Sequence, residues 1–372
     1  MKIGILTFHC ADNYGAVLQG YALVRFLKKN GFDAEIINYQ PEYLTSLYSI
    51  FPALNFPVGG FSKRLKRLVR YVASLSRSCL LLPWLYARKR AFSSFTNNNI
   101  VLSGKALKKI SELNDHYDII IFGSDQIWSL AHNHEDPAFF GLDQLFNHSK
   151  KIVYAASAGG SVNRLGNNIL FKNGIKYFYS VSAREEELTS LVRSLGIECE
   201  TVMDPTFLLS TGDWDNLCCD IECDEKYIVV YEVSKSPILE RIAQEISKKC
   251  DAKIIRIWAG YRKDATPFSF KMSVSPTQFL SLIKNAFCVI TTSFHGVAFS
   301  ANFKKNFYFV SDKNSGENRI IQLLLILGLS DRILTSDSII EFKEIKWKEI
   351  DTTKLNSRIR DSKEYLIKNL NK

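Results

Sequence analysis

A histidine in the segment ITTSFHGVAFS (290–300) suggests chemistry on an anion. An apolar run before it predicts a strand and the pattern from Val297 predicts a helix, so His295 lies between the two. Backbone N–H groups and the dipole at a helix N-terminus favour an anion, and a protonated imidazole adds to this. Ser293 could cap the helix, and Gly296 lets the backbone approach a ligand closely. The alternative is a histidine that only hydrogen-bonds at the strand end.

A second group of polar side chains follows another predicted strand, in the segment FGSDQIWS (122–129). Asp125 and Gln126 are expected to project from this loop with the ring of Trp128 close by. A carboxylate, an amide and an aromatic face together suit a carbohydrate. The alternative is a capped turn over a buried tryptophan.

The loop after the first predicted strand, HCADNYGAVLQ (9–19), carries Asn13 and Tyr14 before a helix that opens near Gly15. These are hydrogen-bonding types that suit a sugar. No GxGxxG motif is present, so the segment is not the dinucleotide fingerprint. An ordinary loop between a strand and a helix is the alternative.

A fourth segment between a predicted strand and a helix, SVSAREEELTSL (180–191), places Arg184 at the start of that helix. A guanidinium there can bind a carboxylate or a phosphate with two parallel hydrogen bonds. The alternative is an ion pair with Glu187 on a solvated helix face. Asp204, before Pro205 at another strand end, is interpreted as a turn residue that orders the crevice.

The elements that must position these residues alternate between strands and helices, with a polar stretch in the middle of the chain. Two successive strand–helix–strand units predict an α/β fold with two Rossmann-like parallel-sheet domains facing a cleft. Ligands of such sheets bind beyond the carboxyl ends of the strands. The predicted boundaries are an N-terminal domain at 1–210 on the acceptor side, a linker at 211–226, a C-terminal domain at 227–335 on the donor side and a helical extension at 336–372.

Composition limits the class of protein. The 372 residues are 46% apolar and 23% charged, as in a globular protein, and no run of 18 apolar residues predicts a membrane span. The first residues look like a strand and not a signal peptide, so we expect a cytoplasmic location. Cys218, Cys219 and Cys223 cluster without histidines or a second cysteine pair nearby, and we expect no metal site.

The net charge of +10 comes from one segment. A basic helical insertion at about 44–111 carries twelve Lys and Arg and no Asp or Glu, so no nucleic-acid partner is implied for the whole chain. Within 61–77, apolar residues recur at helical spacing between basic ones, and aromatic residues follow. This is a membrane-surface pattern, and it predicts peripheral contact with an anionic membrane, with a solvated basic helix packed on the first domain as the alternative.

Taken in order, the motifs resemble one family. NYGAVLQGYAL (13–23), YDIIIFGSDQIW (117–128), SAREE (182–186), MDPTFLL (203–209) and TTSFHGVAFS (291–300) are similar to segments of the polysaccharide pyruvyl transferases, as is NRIIQLLLILGLSDR (318–332). The resemblance implies a two-domain architecture of the GT-B glycosyltransferase type. It also implies transfer of pyruvate from phosphoenolpyruvate to two hydroxyls of a sugar, or of a lipid-linked oligosaccharide, with formation of a ketal.

The resemblance also implies roles for the residues. His295 binds the phosphate and is the candidate general acid, Arg184 holds the carboxylate or phosphate, and Asp125 is the candidate base on the acceptor hydroxyl. Asn13, Tyr14 and Gln126 are expected at the sugar, Ser293 and Gly296 at the anion, and Arg319 as a second anion ligand. We expect no cofactor beyond the donor. A GT-B glycosyltransferase that uses a nucleotide sugar, or a non-catalytic glycan-binding relative, is the alternative.

Overall fold

The computed structural model describes residues 1–51, 61–221, 225–233, 235–259, 270–312 and 316–371, with the backbone alone at 61–64. Cys223 of the cysteine cluster therefore lies outside the described residues, as do the side chains of residues 61–64 in the insertion. Parts of the predicted insertion (52–60) and linker (222–224) lie outside them as well.

Strands and helices alternate along most of the chain. The strands are β1 (Lys2–Leu6), β2 (Asp33–Ile36), β3 (Ile119–Phe122), β4 (Lys150–Val153), β5 (Ser182–Ala183), β6 (Glu200–Thr201), β7 (Tyr227–Glu232), β8 (Lys253–Trp258), β9 (Cys288–Thr291), β10 (Asn306–Val310) and β11 (Ile333–Leu334).

The α-helices are α1 (Tyr14–Lys29), α2 (Glu42–Thr45), α3 (Phe61–Leu80), α4 (Leu82–Asn99), α5 (Leu130–Asn133), α6 (Val162–Leu165), α7 (Ile169–Gly174), α8 (Glu186–Ser194), α9 (Thr211–Asp215), α10 (Pro237–Cys250), α11 (Pro276–Asn285), α12 (Phe294–Asn302), α13 (Asn318–Leu327) and α14 (Thr353–Asn371). Short 3₁₀ turns connect several of them, of which Pro205–Phe207 borders the site described below.

The strands form two parallel sheets, one on each side of the predicted linker. The first has the order β2-β1-β3-β4, and single bridges such as Ala156 to Ala183 continue it to the β5–β6 pair. The second has the order β11-β10-β9-β7-β8. Buried strands such as β3 (IIIF) and β9 (CVIT) read as continuous apolar runs, because helices cover both faces of a parallel sheet. The predicted fold class is confirmed.

The two sheets share one apolar core at their junction. Tyr14 from α1 stacks on Phe279 from α11, with ring centroids 4.4 Å apart, and both rings are fully buried. One continuous cluster of buried side chains includes Ile3 of the first sheet and Val229 of the second. The two sheets are therefore held as neighbours by packed aromatic side chains, and their carboxyl ends meet beside this junction.

The C-terminal helix α14 returns to the first sheet. The hydroxyl of Tyr365 donates to the carbonyl of Val153 at 3.0 Å, and the backbone N–H of Met203 donates to the hydroxyl of Ser362 at 2.8 Å. The sequence predicts this helix without assigning it to either domain. In the structure it packs against the end of β4 and the residues after β6.

Two boundaries differ from the sequence-based expectation. A strand is predicted at 177–181, but a 3₁₀ turn at Ile175–Tyr177 occupies its first residue, and Ser180 forms only a single bridge, to Ile152. The strand itself begins at Ser182. Tyr177 and Tyr179 give the apolar pattern but are 65% and 53% exposed, and their rings lie against lysine ammonium groups. Helix α12 begins at Phe294 and not at Val297, so its first turn contains the histidine of the motif.

Candidate active site

Five strand ends bring the candidate site together. Asp125 follows β3, Ser157 follows β4, Arg184 follows β5, Asp204 follows β6, and His295 is the second residue of α12 after β9. Carboxyl ends of parallel strands meet at one edge of a sheet, and here the edges of both sheets contribute. The cluster therefore lies where ligands bind in doubly wound α/β folds.

Arg184, Asp204 and His295 form the centre of the cluster. Arg184 Nη1 donates to Asp204 Oδ2, and Arg184 Nη2 lies 3.7 Å from Asp125 Oδ1. His295 Nε2 lies 3.7 Å from the same Asp204 oxygen, which is an ion-pair distance and too long for a hydrogen bond. Asp204 thus stands between a guanidinium of the first sheet and an imidazole of the second.

The Asp204 carboxylate is held in its ionised form. Burial raises its pKa, but the interaction with His295 and the charge of Arg184 outweigh burial and hold the pKa well below its usual range. Its second oxygen, Oδ1, accepts from the backbone N–H of Thr206 at 3.0 Å and from the Thr206 hydroxyl at 2.8 Å. The sequence assigned Asp204 only to a turn, and the structure adds a place at the centre of the cluster.

Several buried donors around this carboxylate have no hydrogen-bond partner among the described residues. They are Arg184 Nε, Arg184 Nη2, His295 Nε2 and Arg319 Nε. Buried polar groups in folded proteins almost always have a partner, and leaving a donor without one costs about 1–3 kcal/mol. Unpartnered guanidinium donors from both domains, next to the imidazole of His295, are suited to an anionic ligand that supplies the missing acceptors.

Arg319, in the first turn of α13, is the second guanidinium of the site. With its amide oxygen turned towards it, Gln126 accepts from Arg319 Nη1 at 2.8 Å and from Nη2 at 2.9 Å. Burial, followed by the like charge of Arg184, lowers the pKa of Arg319 to about 10. The guanidinium carbons of Arg184 and Arg319 lie 5.1 and 5.5 Å from the ring centroid of Phe294, which brings the two cations together over one aromatic ring.

Glu185 is a buried carboxyl that sequence reasoning missed. Ser157 Oγ donates to Glu185 Oε1, Arg319 Nη1 lies 3.4 Å from the same hydroxyl, and Glu185 Oε2 is buried without a partner. Burial raises the pKa of Glu185 in spite of the nearby guanidinium of Arg184. Only its place directly after Arg184 in the SAREE motif pointed to it.

Gly15 fixes the position of His295 from the opposite sheet. A Cβ added at Gly15 would lie 2.0 Å from His295 Nδ1, so only hydrogen leaves room for the ring. Asn13 caps the same turn of α1, since its side-chain oxygen accepts from the N–H groups of Gly15 at 2.9 Å and Ala16 at 3.2 Å. The imidazole is therefore held between the N-terminus of α1 and Asp204.

The structure places three predicted binding residues in other roles. Tyr14 is fully buried, donates to the carbonyl of Val274 at 3.0 Å and offers no surface to a sugar. Gly296 allows α12 to approach Thr291, where a Cβ would meet Oγ1 at 2.4 Å. Ser293 occupies the N-cap position of α12, but its side chain makes no capping hydrogen bond, and its N–H donates to Thr291 Oγ1 at 3.0 Å.

Asp125 lies at the edge of the cluster. Its backbone has a φ of 72°, in the left-handed region that Asp tolerates better than most residues, and its side chain is 15% exposed. The carboxylate is therefore directed by the loop into a position between Arg184 and solvent. The side chains of Asn13 and Gln126 are engaged in the cap of α1 and in contact with Arg319, so neither is free for a sugar without rearrangement.

A cavity of about 210 Å³ opens next to the cluster. Arg184, Asp204, Phe294 and Arg319 line it together with apolar side chains of α13 and of the segment after β6. Polar side chains of Glu186, Thr201 and Gln322 also line it, as do Lys354 and Arg358 of α14. Among the described residues, no group of three or more His, Cys, Asp or Glu side chains is placed to hold a metal ion. The cavity therefore presents four basic side chains and two carboxylates beside an apolar wall, and one of those carboxylates, Glu186, lies 3.5 Å from Arg358.

Comparison with known families gives one match over most of the chain. The family model described as polysaccharide pyruvyl transferase matches residues 13–314. This span contains Asp125, Arg184, Asp204 and His295, and it ends before Arg319. No curated protein matches the chain.

Solved structures with similar folds are distant in sequence. The chain is similar to UDP-GlcNAc 2-epimerase from Methanocaldococcus jannaschii in complex with UDP-GlcNAc and UDP, with 13% identity, 100% of this chain and 99% of that chain covered, and a TM-score of 0.46. The chain is also similar to the Neisseria meningitidis UDP-GlcNAc 2-epimerase bound to UDP-GlcNAc, with 10% identity, 100% of this chain and 99% of that chain covered, and a TM-score of 0.47. A third similar structure is heptosyltransferase WaaC of E. coli with ADP-2-deoxy-2-fluoro heptose, with 11% identity, 88% of this chain and 99% of that chain covered, and a TM-score of 0.37.

Proposed function

The chain belongs to the polysaccharide pyruvyl transferase family, an enzyme family, and from this premise we propose the reaction that it catalyses. It transfers a pyruvyl group from phosphoenolpyruvate to hydroxyls of a sugar in a surface polysaccharide, such as an exopolysaccharide, or in its lipid-linked precursor. The product is a ketal, and inorganic phosphate is released.

The observation that carries this proposal is the set of unpartnered arginine and histidine nitrogens at the junction of the two sheets. Phosphoenolpyruvate bears a carboxylate and a phosphate on a three-carbon frame, so it needs two sets of donors close together. Arg184 supplies free donors from the first sheet, and His295 and Arg319 supply them from the second. The proposed donor site thus draws on both domains, whereas the sequence-based prediction has an acceptor side at 1–210 and a donor side at 227–335.

The chemistry needs one proton donor and one proton acceptor. His295 Nε2 gives a proton to the methylene carbon, which leaves a cation at C2 next to the bridging oxygen. An acceptor hydroxyl attacks C2, and Asp125 takes its proton. The C2–O bond to phosphate then breaks, a second hydroxyl closes the ketal at C2, and its proton leaves with the phosphate. Arg184 and Arg319 stabilise the negative charge of the carboxylate and of the departing phosphate.

We place this reaction in the cytoplasm. The described cysteines are all free thiols, which suits a reducing compartment. None of the described helices is long and apolar enough to cross a membrane.

Donor binding is tested by thermal denaturation of the purified protein with phosphoenolpyruvate, UDP or GDP. A ligand that binds the folded state raises the melting temperature, and at 100 times its Kd it stabilises by about 2.7 kcal/mol. We expect a rise with phosphoenolpyruvate and none with UDP or GDP. A rise with a nucleotide alone would favour a GT-B glycosyltransferase. No rise with any of the three would contradict the proposed donor site.

A further inference from the structure

Helix α3 carries an apolar stripe that no described part of the chain covers. Leu65, Leu68, Val69 and Val72 recur at helical spacing and are 49%, 41%, 62% and 53% exposed. The sequence left open a helix packed on the first domain, in which these side chains would be buried. Their exposure contradicts that alternative, because a stripe of this kind in a globular helix normally faces the core.

Aromatic side chains extend this surface into the start of α4. Leu80 and Leu82 are 75% and 38% exposed, and Trp84 and Tyr86 are 37% and 61% exposed. Trp and Tyr are enriched where an apolar phase meets water, because each combines an apolar ring with a polar group. We call the surface formed by residues 65–86 of α3 and α4 the docking face.

The positive charge of the docking face favours an anionic lipid surface over a second copy of the chain as its binding partner. Lys66 and Arg70 are exposed beside the stripe, and the chain carries no Asp or Glu between residues 44 and 111. A second copy would bring two such basic helices together, with like charges opposed and no acidic residue in the segment to offset them. An anionic lipid surface offers both apolar acyl chains and negative headgroups, each of which matches one side of the helix.

The docking face is attached firmly beside the active-site cleft. Leu81 is buried against Trp258, Phe270 and Met272 of the second domain. Arg88, one of the twelve basic residues of the insertion, is also buried: Nη2 donates to the carbonyl of Asp12 at 2.7 Å, and Nη1 donates to the carbonyl of Trp258 at 2.9 Å. Arg88 therefore joins the loop before α1 to the second domain and is no part of the docking face.

We propose that the docking face binds the surface of an anionic phospholipid bilayer, with α3 in the plane of the interface. The apolar stripe enters the boundary between headgroups and acyl chains, and Lys66 and Arg70 contact the headgroups. Because α4 is fixed to the loop that precedes α1, the cleft is then held next to the membrane. This proposal concerns a surface outside the catalytic cluster and stands or falls independently of the proposed reaction.

The proposal is tested by co-sedimentation of the full chain with phosphatidylcholine vesicles that contain or lack phosphatidylglycerol. We expect binding to the anionic vesicles at low salt, weaker binding as salt rises, and little binding to phosphatidylcholine alone. Each basic residue near an anionic surface contributes a factor of about five to affinity. The triple variant Lys66→Glu, Arg67→Glu, Arg70→Glu should therefore lose about 100-fold or more.

Two further variants decide between explanations. Leu68→Ser, Val69→Ser and Val72→Ser together keep every charge and should also abolish binding, because the apolar stripe is lost. Lys343→Glu, Lys346→Glu and Lys348→Glu make the same charge change at exposed positions of the C-terminal extension and should leave binding intact.

Three outcomes would overturn the proposal. One is failure of the parent protein to sediment with anionic vesicles at low salt, and another is equal loss in the Lys343 control. The third is a parent dimer in sedimentation velocity that the serine variant converts to a monomer while vesicle binding is unchanged, which would assign the face to a second copy.

Discussion

Replacing His295 with alanine is expected to lower turnover with phosphoenolpyruvate by about 10²–10⁴-fold, the usual contribution of a general acid. The ring is held between Gly15 and Asp204, its Nε2 is buried without a hydrogen-bond partner, and it borders the unpartnered guanidinium groups. His295→Gln separates two roles, because an amide can donate to phosphate but cannot deliver a proton. It should retain donor affinity while turnover falls as in the alanine variant.

Controls for this prediction test folding and position. His148→Ala removes an exposed histidine and should leave turnover unchanged. Gly15→Ala keeps the imidazole but displaces it, since the new Cβ would overlap the ring, and it should lower turnover while far-UV circular dichroism shows that the variant is folded. Full turnover in His295→Ala would remove the proton-donor role. Unfolding of both His295 variants would show that the ring is a structural residue.

Replacing Arg184 with lysine is expected to weaken phosphoenolpyruvate binding by about 10- to 150-fold, which corresponds to the 1.5–3 kcal/mol of a hydrogen bond to a charged group. Lysine keeps the charge that Asp204 needs, so the buried ion pair is retained. It cannot keep that contact and also present Nε and Nη2 to a ligand, because an ammonium has no planar fork. Isothermal titration calorimetry with phosphoenolpyruvate measures the change.

Arg332→Lys is the matched control for this prediction. Arg332 is 5% exposed and donates to the carbonyl of Lys343 in the second domain, away from the cluster. Its substitution changes a buried arginine in the same way but should leave donor affinity at the parent value. A dissociation constant for Arg184→Lys equal to that of the parent would exclude Arg184 from the donor site.

Local signals in the sequence were sufficient to predict much of the fold. Ser275 as an N-cap and Pro276 in the first turn predict the start of a helix, and α11 begins at Pro276. The structure adds a capping box, in which the side chain of Ser275 accepts from the backbone N–H of Gln278 and the side chain of Gln278 accepts from the backbone N–H of Ser275. Helix α13 ends at Gly328, which adopts a left-handed conformation. The start of α12 was predicted at Val297, three residues too late. The side chain of its N-cap residue, Ser293, makes no capping hydrogen bond, so the sequence carries no signal that separates the first helical turn from a loop.

The site could be predicted only in part, for a physical reason. The rule that ligands bind at strand ends led to Asp125, Arg184 and His295, which the structure brings into one cluster. The position of Asp204 between an arginine of one domain and a histidine of the other depends on how the two sheets meet. That contact is a tertiary property and leaves no spacing in the sequence.

The dependence on tertiary contacts also explains why two buried polar residues looked solvent-accessible in the sequence. Tyr14 and Arg88 are polar side chains in segments that looked accessible, but they meet at the domain junction, where Arg88 Nη1 donates to the Tyr14 hydroxyl at 2.9 Å. Neither sequence pattern nor residue type indicates that the second domain covers them. Burial of a polar residue by a distant segment is visible only once the chain is folded.

Mass spectrometry of surface glycans and their lipid-linked precursors tests the central claim most directly. Glycans would be compared between source cells with the protein, cells without it, and cells that carry only the His295→Ala variant. We predict one pyruvyl ketal on a sugar in the parent cells and its loss in the other two, with the sugar chain otherwise unchanged. An identical pyruvyl content in all three, or the loss of a whole sugar residue in place of a pyruvyl group, would contradict the assignment.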